Sequence, residues 1–207
     1  MKALDIMALP GRMVITQQTG HYVEPKKGEI MSEIRSLVLF IASSLDGYIA
    51  TKDESLEWLF KVDGEGDNGF AEFYETVDTV VMGKKTYNWV MRQGIKEFPY
   101  KNKECYVFTR SAAENTENVK FVNEDVTNFV RKLKNQKGKN IWIVGGGELL
   151  QSFLQEKLVN ELILTVAPTI LGKGISLFKE GDYQLDLSLM STRNFNQFVE
   201  LHYDVKK

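Results

Sequence analysis

The stretch Asn140–Leu154, with the sequence NIWIVGGGELLQSFL, constrains the fold of this chain more than any other stretch. It opens with Ile141–Val144, an uncharged run of β-branched and aromatic residues that is typical of a strand buried on both faces. The three glycines Gly145–Gly147 follow, and beyond them apolar residues recur at helical spacing. These apolar residues are Leu149, Leu150, Phe153, Leu154 and Leu158. The stretch therefore predicts a buried strand, a turn free of side chains and an amphipathic helix.

A turn made of glycines at the start of a helix can bind an anion. Bare backbone N–H groups and the positive end of the helix dipole both face the space in front of the turn. Glycines also occupy such turns simply because the chain must bend sharply and pack closely there. The spacing matches neither the dinucleotide fingerprint nor the phosphate loop that ends in Gly-Lys-Ser/Thr. Phosphate binding and a plain structural turn therefore both remain open on this stretch alone.

Composition narrows the class of protein. With 207 residues, 43% of them hydrophobic and 26% charged, the chain is long enough for one substantial core and short for two domains. A net charge of −2 gives no electrostatic footprint for nucleic acid. Cys105 is the single cysteine and fits a reducing cytosol, and with only two histidines, His21 and His202, a metal site is not expected. No apolar run approaches the roughly 18 residues of a membrane span, so we expect a cytoplasmic protein.

The first 32 residues differ from the rest. Short apolar pieces alternate there with polar and glycine-containing spacers, and Met31 could itself be a start codon. We interpret residues 1–32 as an N-terminal extension or leader and residues 33–207 as a single domain. The alternative is that Arg12–Ile15 adds a strand to a sheet edge or to a partner.

Apolar runs alternate with helical patterns along the remaining chain. Strands are predicted at Ser36–Ala42, Tyr48–Ala50, Thr79–Met82, Cys105–Phe108, Val119–Val122 and Leu162–Ala167. Helices are predicted at Phe70–Glu75, from Gly83 to about Met91, and after Asn123, which we expect to cap its helix. The alternation of Val199, Leu201, Tyr203 and Val205 with polar residues predicts an antiparallel edge strand. The order favours an α/β fold with a mostly parallel sheet and an antiparallel C-terminal hairpin.

Three strand-to-helix turns are expected at one edge of that sheet. They are Gly83-Lys84-Lys85-Thr86, Thr109-Arg110-Ser111 and Gly145–Gly147. The carboxyl ends of parallel strands meet at one edge, where ligands bind. Two turns carry cations and hydroxyls, and a guanidinium can grip a phosphate through two hydrogen bonds. Together the turns predict a ligand with several phosphates; the alternative is that Lys84, Lys85 and Arg110 are merely solvated.

Five motifs, in this order and spacing, resemble those of the dihydrofolate reductase superfamily. They are Ser44–Ala50 (SLDGYIA), Val81–Tyr87 (VMGKKTY), Val107–Ser111 (VFTRS), Ile143–Leu149 (IVGGGEL) and Pro168–Gly174 (PTILGKG). The resemblance extends from about Ile34 to Asp204. It is greatest to the branch built on the C-terminal reductase domain of the bifunctional riboflavin-biosynthesis deaminase-reductase.

The resemblance implies a three-layer fold with about eight strands and helices on both faces, a homodimer and the cofactor NADPH. The residues that it assigns to the cofactor are Ala42, Ile49, Ala50, Gly83, Lys84, Lys85, Thr86, Thr109, Arg110, Ser111, Val144, Gly145, Gly146, Gly147, Glu148 and Leu149. It also implies a cis peptide between Gly145 and Gly146, a geometry that persists only where the surroundings hold it.

On the substrate side, the resemblance points to Asp67 as the acidic residue that assists protonation. Glu72, one turn into the following helix, is the alternative, and Asp46 is a third candidate. Thr165 matches a family threonine that supports the acid through hydrogen bonding. Tyr48 and Trp58 are expected to line the site of the substrate ring.

The chain departs from folate enzymes in two places. Leu150 stands where dihydrofolate reductase carries a tyrosine, and no apolar-proline stretch follows Ala50. The resemblance therefore implies hydride transfer to a small heterocyclic or imine/carbonyl substrate of the pyrimidine or pteridine type. One alternative is a stand-alone 5-amino-6-(ribosylamino)uracil phosphate reductase of riboflavin biosynthesis, for which Lys61, Lys101, Lys103 and Lys173 are available cations. A second is a non-catalytic nucleotide-binding or stress-response module on the same fold.

Overall fold

The computed structural model describes residues 35–206. The predictions for residues 1–32, including the strand at Arg12–Ile15, lie outside the described residues. Within them the strands are β1 (Leu37–Ser44), β2 (Tyr48–Ala50), β3 (Val77–Gly83), β4 (Glu104–Phe108), β5 (Lys120–Val122), β6 (Asn140–Gly145), β7 (Glu161–Ala167), β8 (Ile175–Ser176), β9 (Leu187–Phe195) and β10 (Phe198–Val205). The helices are α1 (Glu57–Phe60), α2 (Phe70–Glu75), α3 (Lys84–Arg92), α4 (Val126–Lys134) and α5 (Gly147–Gln155).

One sheet of eight strands organises the described chain. Its order is β5-β4-β3-β6-β1-β7-β10-β9. All neighbouring pairs from β5 to β7 are parallel, whereas β10 runs antiparallel to both β7 and β9. The short strands β2 and β8 form a separate antiparallel pair. The predicted α/β fold with an antiparallel C-terminal hairpin is thus confirmed.

The central strand β1 shows why the fold has three layers. Because Leu37–Ile41 carries no polar side chain, both of its faces can be buried. Leu37, Leu39 and Ile41 pack with α4 and α5, and Val38 and Phe40 pack with Phe70 and Phe73 of α2 on the opposite face. No helix within residues 35–206 is long and apolar enough to cross a membrane.

The start of α4 differs from the prediction. Asp125, and not Asn123, is the capping residue, because its Oδ1 accepts a hydrogen bond of 2.8 Å from the backbone N–H of Asn128. Both residues are short and polar, and the choice depends on which of them lies three positions before a free N–H group.

The interpretation of β10 as an edge strand is wrong, and so is the orientation of its first residues. β10 lies between β7 and β9, and β9 forms the edge. Glu200 is 2% exposed while Val199 is 41% exposed, the reverse of the predicted alternation. Phe198 sets this phase, since it is buried on the same face of the strand as Glu200. The register with β9 shifts between His202 and Tyr203, and Val205 is buried beyond the shift.

Candidate functional site

The three predicted turns lie side by side at one edge of the sheet. Strand β3 is the neighbour of both β4 and β6, and it pairs Gly83 with Phe108 and Met82 with Gly145. All three strands are parallel, so the turns that follow them meet at the same carboxyl edge. The predicted meeting of the turns at one edge is therefore confirmed, but the turn after β4 leads through a loop to β5 and not into a helix.

The glycine turn is packed closely against the turn that starts α3. A Cβ atom on Gly146 would lie 3.4 Å from the backbone N of Gly83 and 3.5 Å from Thr86 Oγ1. Gly145 and Gly146 have φ angles of 151° and 103°, which side chains rarely allow. Every peptide bond of residues 35–206 is trans, so the expected cis bond between Gly145 and Gly146 is wrong. The two positive φ angles turn the chain instead.

The first turn of α5 lacks a side-chain cap. Its N-cap residue is Gly146. The backbone N–H groups of the first turn have no acceptor within the helix and point out of its N-terminus. Val144 and Leu149, which flank the turn, are buried and support it from the core.

Glu148 lies at the centre of three cations. Its Oε1 is 3.1 Å from Lys85 Nζ and 4.0 Å from Lys179 Nζ, and its Oε2 is 3.0 Å from Arg110 Nη2. The hydrogen bond from Lys85, together with the positive charges around it, holds the pKa of Glu148 below its usual value. The cluster carries more positive than negative charge and adjoins the N-terminus of α5, where an anion is stabilised.

The side chains of Lys84 and Lys179 lie at positions that the sequence did not predict. Lys84 points away from the glycine turn, and its Nζ lies 4.1 Å from the centre of the Phe121 ring. Lys179, which the sequence reasoning missed, lies beside the glycine turn. A Cβ on Gly147 would lie 3.1 Å from Lys179 Cε, so the absence of a side chain there makes room for the lysine. Nothing in the sequence near Lys179 signals this role, because the contact joins distant parts of the chain.

The turn after β4 is shaped by its own hydroxyls. Thr109 Oγ1 donates to the carbonyl of Ser111 at 3.0 Å and accepts from the N–H of Ser111 at 3.3 Å. This local turn presents Arg110 to the solvent. The Arg110 side chain is 91% exposed, and it contacts Glu148.

The residues expected to border the nicotinamide lie on β1 and β2. Ala42 pairs with Thr165 across β1 and β7. Ile49 packs against the core, and Ala50 is buried where β2 pairs with β8. Asp46 ties this region to the loop after β7, accepting hydrogen bonds from the N–H groups of Leu171 and Gly172 at 3.1 and 2.7 Å. The geometry thus favours a structural role for Asp46.

The predicted acids are occupied in different ways. Asp67 accepts hydrogen bonds from the N–H groups of Gly69 and Ala71 at 3.1 and 2.7 Å, so both of its oxygens help to start α2. Glu72 is exposed and lies 2.5 Å from Arg193 Nη1. Within the described residues the hydroxyl of Thr165 makes no hydrogen bond to either acid. The catalytic assignments of Asp67, Glu72 and Thr165 stay predictions.

Thr165 instead lies opposite a residue that the sequence reasoning missed. Its partner across β7 and β10 is Glu200, which in turn pairs with Arg193 across β10 and β9. Arg193 Nε donates to Glu200 Oε1 at 2.7 Å. Its Nη1 also contacts Glu72, so Arg193 connects the hairpin with α2. The alternating pattern of β10 had assigned Glu200 to the solvent face.

The two aromatic residues proposed for the substrate differ in position. Trp58 lines an open groove of about 510 Å³. The other residues of the groove are Thr51, Asp53, Ser55, Glu57, Lys61, Val62 and Thr169. Tyr48 lies at the β2–β8 pair, where a Cβ on Gly174 would come within 3.2 Å of its side chain. No group of three or more metal-ligating residues occurs in the described part of the chain.

Comparison with known proteins gives three findings. The model of the RibD C-terminal domain family matches residues 35–201. Protein YwjB of Bacillus subtilis (strain 168), which is called uncharacterized, is 49% identical over 170 residues, covering 82% of this chain and 97% of YwjB. A crystal structure from Shewanella sp. PV-4, of a protein named for riboflavin biosynthesis, has a TM-score of 0.76 at 32% identity and covers 83% of this chain and 99% of that one.

A more distant structure bears on the fold. Dihydrofolate reductase from Enterococcus faecalis, complexed with NADP(H), has a TM-score of 0.56 at 16% identity. The match covers 83% of this chain and 97% of that one. This likeness confirms a dihydrofolate-reductase-like fold.

Proposed function

The chain belongs to the RibD C-terminal domain family, and from this premise we propose that it is an NADPH-dependent reductase of a small heterocyclic or imine/carbonyl substrate. The observation that carries the proposal is the grouping of Lys85, Arg110 and Lys179 beside the uncapped N-terminus of α5. Cations and free backbone N–H groups are the partners that phosphates prefer. A cofactor with a pyrophosphate and a further phosphate matches this donor set.

The residues would divide the work as follows. Arg110 and Lys85, on the turns after β4 and β3, would hold the extra phosphate, and the glycine turn would hold the pyrophosphate. Ala42, Ile49 and Ala50 would border the nicotinamide. Bound NADPH supplies the hydride in such a reaction. The chain's own task is to orient the two reactants, keep water away and assist protonation of the acceptor.

A substrate screen that follows NADPH oxidation tests the proposal. Dihydrofolate and the pyrimidine of the riboflavin pathway are the first two compounds to test. We expect turnover of a pyrimidine or pteridine compound. Tight NADPH binding with no turnover of any such compound would favour a non-catalytic nucleotide-binding module.

The riboflavin pyrimidine is the more specific substrate candidate. The Shewanella structure is named for riboflavin biosynthesis. The substrate of that pathway carries a ribose phosphate, and its phosphate group would need a cation as a partner. Lys61 lines the groove beside Trp58 and is the candidate for this contact. Lys103 is a poorer candidate for the phosphate, since its Nζ already donates to the carbonyls of Tyr74 and Val77. A Lys61→Ala variant with unchanged KM for the phosphorylated pyrimidine would contradict this assignment.

The proposal includes a cytoplasmic homodimer without nucleic-acid or membrane partners. The antiparallel hairpin carries exposed apolar residues that a second copy could cover: Leu189, Met190 and Val199. Light scattering on the purified protein should give twice the mass of the chain. A monomer across the accessible concentration range would contradict this part of the proposal.

A further inference from the structure

Glu200 is a buried acid that the proposed cofactor site does not use. Its side chain is 2% exposed, and only its Oε1 has a partner, Arg193 Nε at 2.7 Å. Oε2 is one of two buried side-chain N or O atoms in the described residues without a hydrogen-bond partner; the other is Trp58 Nε1. Leaving a buried carboxylate oxygen without a donor costs free energy, so such an atom requires an explanation.

Arg193 fixes the orientation of Glu200. Its guanidinium is held between Glu200 and Glu72, at 2.7 and 2.5 Å. It also lies under the start of α2, because a Cβ on Gly69 would come within 2.8 Å of Arg193 Nη2. The two carboxylates raise the pKa of Arg193, which therefore stays charged. Arg193 thus holds Oε1 and leaves Oε2 to another donor.

The position of Glu200 connects it with the proposed reaction. Thr165 is the Cα partner of both Ala42 and Glu200, so the three side chains share one face of the sheet. Neighbouring strands are about 4.8 Å apart, which puts the Cα atom of Glu200 about 10 Å from that of Ala42. Ala42 is the residue expected to border the nicotinamide. Glu200 is therefore on the side of the sheet where the hydride acceptor would lie.

The surroundings of Glu200 are rich in aromatic side chains. Trp58 and Ala42 pack against an apolar cluster that contains Phe198, the residue next but one before Glu200. Phe195 joins the same cluster, and the Arg193 guanidinium lies 5.2 Å from the centre of its ring. One acceptor and one donor, Glu200 Oε2 and Trp58 Nε1, are unmatched in this apolar region.

We propose that Glu200, oriented by Arg193, is a substrate-binding carboxylate that accepts a hydrogen bond from a ring N–H of the heterocycle. Trp58 Nε1 donates to a carbonyl of the same ring. A ring N–H beside a carbonyl is the edge that uracil-type and lactam compounds present. The inference rests on the proposed function, since it assigns the substrate side of that same reductase.

The test is a calorimetric titration of 5,6-diaminouracil into the full-length protein, first without and then with saturating NADP⁺. Glu200→Gln is the decisive variant. Because Arg193 donates, the glutamine keeps its oxygen towards Arg193 and places its NH₂ group where Oε2 was, so that a donor meets the ring N–H. A hydrogen bond to a charged group contributes enough that we expect the affinity to fall about tenfold or more. Trp58→Phe, which removes only the indole N–H and part of the ring, should lose several-fold.

Glu161→Gln is the matched control, since Glu161 is a half-buried carboxylate of the same sheet, paired with His202 at 2.9 Å. Its affinity for diaminouracil should equal that of the wild type. Fluorescence titration with NADPH on the same samples separates the two proposals. Unchanged NADPH binding with a lost diaminouracil site supports the role of Glu200, whereas absence of NADPH binding by the wild type defeats the cofactor assignment alone.

Equal diaminouracil affinities of the wild type and Glu200→Gln would overturn the inference, and so would a wild type that does not bind the compound at millimolar concentration. If Glu200→Gln does not fold, Glu200→Asp replaces it. That variant keeps the charge next to Arg193 and withdraws the carboxylate by one methylene. It should melt near the wild-type temperature and still lose diaminouracil affinity; retained affinity would overturn the inference as well.

Discussion

Arg110 Nη2 lies 3.0 Å from Glu148 Oε2, in the middle of the cations that we propose for the cofactor phosphates. The carboxylate therefore occupies the place of an anion next to the N-terminus of α5 and neutralises part of the charge that a phosphate would meet. Both side chains are largely exposed, so the ion pair is weak and a ligand can replace it.

Glu148→Gln should bind NADPH more tightly than the wild type. The substitution frees Lys85, Arg110 and Lys179 from a competing negative charge. Exposed ion pairs contribute at most about 1 kcal/mol each, so the expected gain is roughly threefold to tenfold. Fluorescence titration at low and high salt measures it, and the gain should shrink as salt is added. Weaker binding by the variant would indicate that Glu148 positions the cations instead.

Asp67 should be more important for stability than for turnover. Both of its oxygens accept backbone N–H groups at the start of α2, so Asp67→Ala should lower the free energy of unfolding by about 1 kcal/mol. Asp67→Asn keeps one acceptor oxygen but places its NH₂ group against the other backbone N–H, so it should lose part of this stabilisation in urea denaturation. If Asp67→Asn is folded at the assay temperature and has lost turnover, Asp67 is the catalytic acid after all.

The hydrogen bond between His202 Nε2 and Glu161 Oε2 predicts a specific loss of stability in acid. The bond from His202 lowers the pKa of Glu161 from its usual value of 4.5. The stabilisation is therefore fully present above that value and is lost as the pH falls through the lower, folded-state pKa. The melting temperature of Glu161→Gln should depend less on pH than that of the wild type in this acidic range. Parallel curves would contradict the coupling, which should be small because Glu161 is only half-buried.

Cys105 should not react in the folded protein. Burial raises the pKa of its thiol to about 12, so almost none is thiolate at about pH 8. It is the chain's only cysteine, and labelling with a disulfide reagent therefore reports on it alone. We expect no labelling of the native protein and one thiol per chain in denaturant. Fast labelling under native conditions would show that β4 opens readily.

The order of the elements and the three turns could be predicted because both depend on local signals. The uncharged run of β6, the glycines after it and the apolar spacing of α5 are neighbours in the sequence. Parallel strands then bring turns from β3, β4 and β6 to one edge, whatever the details of packing.

The partners of individual side chains could not be predicted in the same way. Lys179 lies 4.0 Å from Glu148, and the missing side chain of Gly147 leaves room for it. The ammonium group of Lys84 lies instead over the ring of Phe121 on β5. Both choices depend on distances between remote segments, which periodicity does not encode.

The buried acid was missed for a related reason. Glu200 stands among alternating residues whose apolar members were expected to face inwards. The buried residue Phe198 and a register shift near His202 set the opposite phase for the first part of β10. A charged residue can occupy the inward position there because Arg193, on the neighbouring strand, provides its partner.

The most direct test of the cofactor assignment is a parallel fluorescence titration of the wild-type protein with NADPH and NADH. The extra phosphate of NADPH adds charge-assisted hydrogen bonds to the cation cluster, so we expect it to bind at least about tenfold more tightly than NADH. Arg110→Ala should lose most of this preference, while Lys132→Ala, which removes an exposed cation on α4, should keep it. Equal affinities of the wild type for the two cofactors would contradict the assignment.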